Sequence, residues 1–350
     1  MRSTLVSQFG DPRQVIALVE ADRVAPGPGE VEVALSLASI NPSDLIPVTG
    51  AYSARTTLPF VPGFEGFGTV TRVGTGVAAL KPGDRVVPIG ASGLWQEYLI
   101  RPAAWCFTLP DDIGETDAAT CYVNPLTALQ LIEALRAHFG SLDRRRIGVT
   151  AAGSAIGGML MKLLAGEGAD ATGIVRSERS ADRLATEVPG RVVLGDEDRM
   201  PQLRLDAIID AVGGPFAGDL ILRTLEPGGA FIQYGALSGV PVPQAAIQAR
   251  PDIRFSFLWL RTWVHSAGRA AIEAAFARSF DGLRSGLFSG RIAEIYPLSQ
   301  LDAALAHQAD PRRDGKLLID PRVENSAFRR RQHGPSGVGA LGLRHDHVPL

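Results

Sequence analysis

The chain has 350 residues, 45% of them hydrophobic and 21% charged, which suits a packed protein of about two domains. A formal net charge of −2 gives no electrostatic reason to expect nucleic acid. Two cysteines exclude a disulfide framework and a four-cysteine zinc site, and no apolar run reaches the ~18 residues of a membrane span.

The opening residues carry no signal-like apolar run, so a soluble, cytoplasmic protein without a membrane partner is expected. The N-terminal third is rich in short strand-like runs broken by Gly and Pro. Residues 31–37, Val-Glu-Val-Ala-Leu-Ser-Leu, alternate with the period of a half-buried strand. Further strands are expected over 66–73, 85–88, 97–100 and 106–109, with Lys81-Pro-Gly-Asp84 as a turn; together they suggest a compact barrel or sandwich. Cys106 and Cys121 have apolar neighbours and read as buried and inert.

The pattern changes at Asn124-Pro125. Helical spacing over 126–137 follows, with Pro125 suited to a first turn. Strand and helix then alternate: strands at 147–151, 171–175, 207–211, 230–234 and 254–260, helices at 156–165 and 181–187. Such alternation predicts a parallel sheet covered by helices. A helix over 267–283 is followed by a strand at 291–296, a helix at 298–308 and a strand at 316–319, which read as a return to the first domain. The expected organisation is a β-rich domain from 1–124 and 284–322, a doubly wound domain over 125–283, and a disordered tail over 323–350. The tail histidines His345 and His347 read as incidental rather than as a metal site.

From Ile147 the chain passes through Ala152, Gly153, Ser154, Ala155 and Ile156 to Gly157-Gly158, small residues between a strand and a helix. Small side chains let backbone approach a pyrophosphate, and a helix start offers free N–H groups and a favourable dipole. The Gly-x-Gly-x-x-Gly match is imperfect, with Ala155 at the middle glycine. The next strand ends on Arg176, Ser177 and Arg179 instead of the carboxylate that would receive ribose hydroxyls. A guanidinium there suits a 2′-phosphate and favours NADPH; an ordinary surface turn is the alternative, and Glu178 runs against phosphate. Val212, after the strand ending in Asp210, and Tyr234 are assigned to the cofactor, with core packing the alternative for Tyr234.

Taken in order, Asn41-Pro-Ser-Asp44, Pro62-Gly-Phe-Glu-Gly66, Gly83-Asp-Arg-Val86, Asn124-Pro-Leu-Thr-Ala128, the glycine turn and Asp210-Ala-Val-Gly-Gly214 resemble the medium-chain dehydrogenase/reductases over about residues 1–320. The resemblance implies a GroES-like β-rich catalytic domain with a Rossmann domain, an α/β fold. Zinc members carry a cysteine near the first motif and Gly-His-Glu at the second. Here Asn41 or its neighbours and Phe64 stand there, and neither ligates zinc, so no metal is expected.

Within the zinc-free branch the chain resembles quinone oxidoreductases and 2-enoyl thioester reductases around Gly50-Ala-Tyr52. Residues 93–97, 123–127 and 258–263 look more like mitochondrial-type enoyl reductases. That resemblance implies Tyr52 as the acid that protonates the α-carbon after hydride reaches the β-carbon, and Asn124 as the group orienting substrate or cofactor. It places Thr127 and Lys316 at the cofactor, and Trp259 with Asn41 at the substrate. The alternatives are a loop tyrosine, a helix N-cap for Asn124, packing for Trp259 and Trp263, and a solvated Lys316. An NADPH-dependent enoyl-thioester reductase leads, a quinone or enone reductase follows, and a non-catalytic NADPH sensor is the third reading. A homodimer held near residues 255–260 is expected.

Overall fold

A computed structural model describes residues 1–195 and 202–323; the tail from 324 onward, with His345 and His347, lies outside the described residues. The chain forms two compact units, Met1–Val123 with the segment from Gly290 onward, and Asn124–Ser289. The architecture is α/β, a β-rich unit and a unit built on a six-stranded parallel sheet.

The first unit opens with β1 (Arg2–Val6), helix α1 (Pro12–Val15), β2 (Ile16–Glu20), β3 (Glu30–Ile40) and helix α2 (Pro42–Thr49). Then come β4 (Gly66–Val73), β5 (Arg85–Pro88), β6 (Tyr98–Pro102), β7 (Cys106–Thr108) and α3 (Glu115–Ala118). From Asn124 the second unit carries α4 (Val123–Phe139), β8 (Arg146–Thr150), α5 (Ala155–Gly166), β9 (Asp170–Val175), α6 (Glu178–Glu187), β10 (Arg191–Leu194) and β11 (Leu205–Asp210). It continues through α7 (Gly214–Arg223), β12 (Leu225–Gln233), α8 (Gln244–Gln248), β13 (Arg254–Phe257), α9 (Leu260–Ser266) and α10 (Arg269–Arg284). The chain returns to the first unit with β14 (Ile292–Pro297), α11 (Leu301–Ala309) and β15 (Lys316–Asp320).

In the first unit the sheet order is β14-β15-β3-β4-β5-β7, with β6 also paired to β3, and β1 and β2 form a hairpin of their own. β14 and β15 run parallel; the other pairs are antiparallel. The central β3 is not the half-buried strand its alternation suggests. Register shifts between Glu32 and Val33 and between Leu35 and Leu37 break the simple period, and Val31, Glu32 and Val33 are all buried. Bulges of this kind bend a strand and re-aim its side chains. Glu32 tolerates burial because Arg23 Nε and Arg72 Nε each donate to it at 2.9 Å, and Thr71 donates as well. Burial alone would raise this carboxyl, but the three donors outweigh it and hold the pKa at about 2. Arg23 also lies over the Tyr98 ring at 3.8 Å, pinning the segment after β2. Val33, Leu35, Trp95, Leu99, Leu317 and Ile319 share the core beneath the sheet.

The second unit is a parallel sheet in the order β10-β9-β8-β11-β12-β13. The chain starts in the middle at β8, runs out to β10, then returns to the other side of β8 with β11. Ligands of such sheets bind beyond the carboxyl ends of the strands where the order reverses, here the ends of β8 and β11. Phe231 of β12 stacks on Phe255 of β13 with ring centroids 5.7 Å apart, closing a core that includes Ile208, Leu220 and Ile221. The apolar run expected as one strand over 254–260 divides instead, β13 ending at Phe257 and α9 starting at Leu260.

Candidate functional site

β8 runs straight into the glycine turn. Ala151 takes a left-handed φ of 49°, which costs a residue with a Cβ about 1 kcal/mol and turns the chain sharply toward α5. Ser154 caps α5, its side chain accepting from the Gly157 N–H at 3.2 Å. A Cβ on Gly157 would lie 2.6 Å from the Ala152 Cα, so only glycine lets the helix sit this close to the turn. Among the described residues the Ala155 and Ile156 N–H groups have no hydrogen-bond partner. Two uncommitted donors at the start of a twelve-residue helix form a seat for an anion.

Arg176 directly follows β9 and is exposed, as are Ser177 and Arg179. Ser177 caps α6 by accepting from the Ser180 N–H at 3.2 Å and donates to the Ser180 Oγ at 2.9 Å. No carboxylate stands at the β9 end itself; Glu178 is the first residue of α6. One residue that the sequence reading did not single out lies here as well. Arg183 donates from Nη2 to the Gly153 carbonyl at 2.7 Å and pairs through Nη1 with Glu187 at 3.1 Å.

At the end of β11, Asp210 is buried and accepts from Thr150 Oγ1 at 2.7 Å, Gly213 N at 2.8 Å and Val212 N at 3.2 Å. Thr150 in turn accepts from Ala211 N at 2.9 Å. Burial raises the Asp210 carboxyl despite these donors. The network ties β8 to β11 at their carboxyl ends and sets the Val212–Gly213 loop, where Gly213 adopts a φ of 71°. Tyr234 follows β12; its backbone N–H reaches Asp210 O at 2.8 Å, and its hydroxyl has no partner among the described residues.

The first unit holds a buried polar network around α2. Asp44 accepts the Asn41 N–H at 2.6 Å and the Phe64 N–H at 2.8 Å, fixing the start of α2 to the chain before β4. Burial pushes the Asp44 carboxyl up to about 7 against the pull of those two donors; Glu65 repels and Lys316 attracts. Glu65 Oε2 accepts from Ser39 at 2.6 Å, from Asn41 Nδ2 at 2.9 Å and from Lys316 Nζ at 2.9 Å. Its Oε1 accepts the backbone N–H groups of Val123 at 2.7 Å and Tyr122 at 3.1 Å. Burial opposes the Glu65 charge, yet Lys316 and these donors hold the carboxyl below its ordinary value.

Two candidate site residues take part in this network. Lys316 is only 7% exposed, and its ammonium pairs with Glu65 within the first unit. Asn41 is 3% exposed, and its amide donates to Ser39 Oγ at 2.8 Å and to Glu65. Both donate to Glu65, a buried carboxylate that needs donors to keep its charge.

Tyr52 is half-buried and opens the turn Ser53–Arg55 beyond Gly50, which ends α2 with a φ of 87°. The turn is fastened by Ser53 N to Gly50 O at 2.9 Å and Arg55 N to Tyr52 O at 2.8 Å. Asn124 is not an N-cap: α4 already begins at Val123, which leaves Asn124 half-buried in the first turn with Pro125, while Thr127 is buried one turn on. Trp259 precedes α9, with the Arg261 guanidinium over its ring at 5.4 Å. Among the described residues no three His, Cys, Asp or Glu side chains gather as a metal site, and no helix is long and apolar enough to cross a membrane.

Residues 27–111 match the alcohol dehydrogenase GroES-like domain, and residues 190–319 match the family described as zinc-binding dehydrogenase. The chain is 30% identical over 328 residues to the mitochondrial enoyl-[acyl-carrier-protein] reductase of Rattus norvegicus, covering 89% of this chain and 86% of that protein. It is 29% identical over 336 residues to the corresponding reductase of Bos taurus, covering 91% and 88%. A Bacillus thuringiensis structure assigned as an NADPH:quinone reductase superposes with a TM-score of 0.84 at 28% identity, covering 91% of this chain and 98% of that one. Escherichia coli quinone oxidoreductase, solved with NADPH, shares the fold at a TM-score of 0.81 and 21% identity, covering 92% and 100%. With a relative of this identity along most of both chains, and with the GroES-like and dehydrogenase segments in order, the chain belongs to the medium-chain dehydrogenase/reductase superfamily.

Proposed function

We propose that the protein is an NADPH-dependent, zinc-independent reductase of the activated double bond of 2-enoyl thioesters. The observation that carries the cofactor reading is the glycine turn. Its uncommitted Ala155 and Ile156 N–H groups fit a pyrophosphate, and Arg176 at the end of β9 fits a 2′-phosphate. Val212 and Tyr234 border the same strand ends. When bound, the reduced nicotinamide supplies the hydride.

The residues of the chain do the rest. Tyr52 donates its phenolic proton to the α-carbon of the substrate, on a turn supported by α2 and the Asp44 clamp. Asn124 and Trp259 are assigned to substrate orientation. Zinc independence is supported by the residues at the family's ligand positions: Phe64 offers no donor atom, and the nearby carboxylates Asp44 and Glu65 are committed to backbone N–H groups and Lys316. The thioester substrate is supported by the enoyl reductase relatives.

A quinone acceptor is the second reading, favoured by the solved Bacillus thuringiensis relative. We further propose a homodimer, since β13 lies at the edge of its sheet and Phe257 on it is 55% exposed. The test is NADPH oxidation against matched panels of enoyl thioesters and quinones. Turnover of the thioesters with quinones inert supports the proposal; the reverse pattern assigns the protein to the second reading.

A further inference from the structure

We infer that Arg183 is a positioning residue that locks the glycine turn in its anion-binding form, an inference that rests on the dinucleotide reading of that turn. A turn that seats a phosphate must present N–H groups and keep its carbonyls turned away, because a carbonyl dipole facing the anion repels it. The peptide after Gly153 is the weak point. Glycine restricts its own backbone least, and this residue stands immediately before the cap Ser154 and the two uncommitted donors of Ala155 and Ile156.

Arg183 removes that freedom. Its Nη2 donates to the Gly153 carbonyl at 2.7 Å, and Glu187, one turn further along α6, holds Nη1 at 3.1 Å. The guanidinium is therefore braced on one side and reaches the turn on the other, with 28% of its side chain exposed. The contact is close: a Cβ on Gly153 would meet Arg183 Nη2 at 3.4 Å and Ser180 Cβ at 3.5 Å. Ser180 and Arg183 share one face of α6, three residues apart, and that face abuts the turn. The helix that begins beside Arg176 and Ser177 is thus bonded to the turn that binds the other phosphates. Arg176 at the strand end is positioned to choose between dinucleotides; Arg183 sets the seat that both dinucleotides use.

The two roles separate in a binding experiment. Kd for NADPH and for NADH is measured by nicotinamide fluorescence in wild type, Arg183→Ala, Arg183→Lys and Arg176→Ala. Amide hydrogen exchange of residues 151–158 is followed in the dinucleotide-free protein. Arg183→Ala is expected to weaken both dinucleotides by the same factor, about tenfold for one charge-assisted bond, to raise the dinucleotide KM more than it lowers kcat, and to speed exchange in the turn. Arg183→Lys recovers part of each effect, since an ammonium still serves a single carbonyl. A loss confined to NADPH overturns the inference by making Arg183 a direct phosphate contact, and unchanged exchange in the turn overturns it whichever dinucleotide binds. Failure of the NADPH reading looks different: wild type then prefers NADH and Arg176→Ala leaves that preference alone.

Discussion

Replacing Lys316 by methionine keeps most of the side-chain volume and removes the ammonium from a Glu65 carboxylate that is itself fully buried. The remaining donors, from Ser39, Asn41, Tyr122 and Val123, still reach Glu65, but the opposite charge is gone. Breaking a buried pair from one side costs about 3–5 kcal/mol, because the surviving charge is left without compensation in a poorly polarisable interior. At roughly 2–4 °C per kcal/mol for a domain of this size, melting should fall on the order of 10 °C. The pH dependence should change sign as well. In the wild type the Glu65 carboxyl is held below its ordinary 4.5, so its contribution is present above 4.5 and fades only as pH falls through the depressed value. Without Lys316 burial dominates, the carboxyl rises, and the variant loses stability as pH rises through that raised value. Scanning calorimetry across pH reads both effects, and adding Glu65→Gln to Lys316→Met should restore at least half the loss. A variant that melts like wild type yet binds NADPH poorly would refute the reasoning and return Lys316 to the cofactor.

Three further outcomes are expected. Tyr52→Phe should lower kcat for enoyl thioesters by about a hundredfold or more, as loss of a positioned acid does, with NADPH affinity unchanged by fluorescence titration. Arg176→Ala should weaken NADPH about tenfold and leave NADH alone, measured as the ratio of the two Kd values. Stability contributed by Glu32 should be present above its ordinary 4.5 and lost as pH falls toward about 2; acid melting curves of Glu32→Gln should lack that component.

The strand–helix alternation of the second unit was legible because buried parallel strands and their helices carry distinct periods, and β4 and β5 fall on the residues expected for them. The short apolar stretch at 254–260 was not, since neither length nor period tells a strand from a strand entering a helix; the chain turns at Leu258–Trp259 and α9 begins. α2 was missed because Pro47 sits inside it, where a proline ordinarily breaks a helical pattern.

The strand–turn–helix around the candidate site was legible, since small side chains between a strand and a helix have few other uses. Its supports could not. Arg183 lies on a helix that looks like an ordinary solvated face, and only the fold brings it to Gly153. Lys316 and Glu65 are 251 residues apart in the chain, so no local pattern reveals that they neutralise each other. Asn41 and Lys316 were assigned to ligands through the resemblance; the hydrogen bonds both give to Glu65 come from the fold and no local pattern shows them.

The most direct measurement supplies NADPH carrying deuterium at its transferable position together with a short 2-enoyl thioester, and locates the label in the product by NMR. Deuterium at the β-carbon, with a solvent-derived proton at the α-carbon and incorporation that slows with Tyr52→Phe, is the expected result. A thioester recovered without label, or label transfer that requires added zinc, would contradict the account.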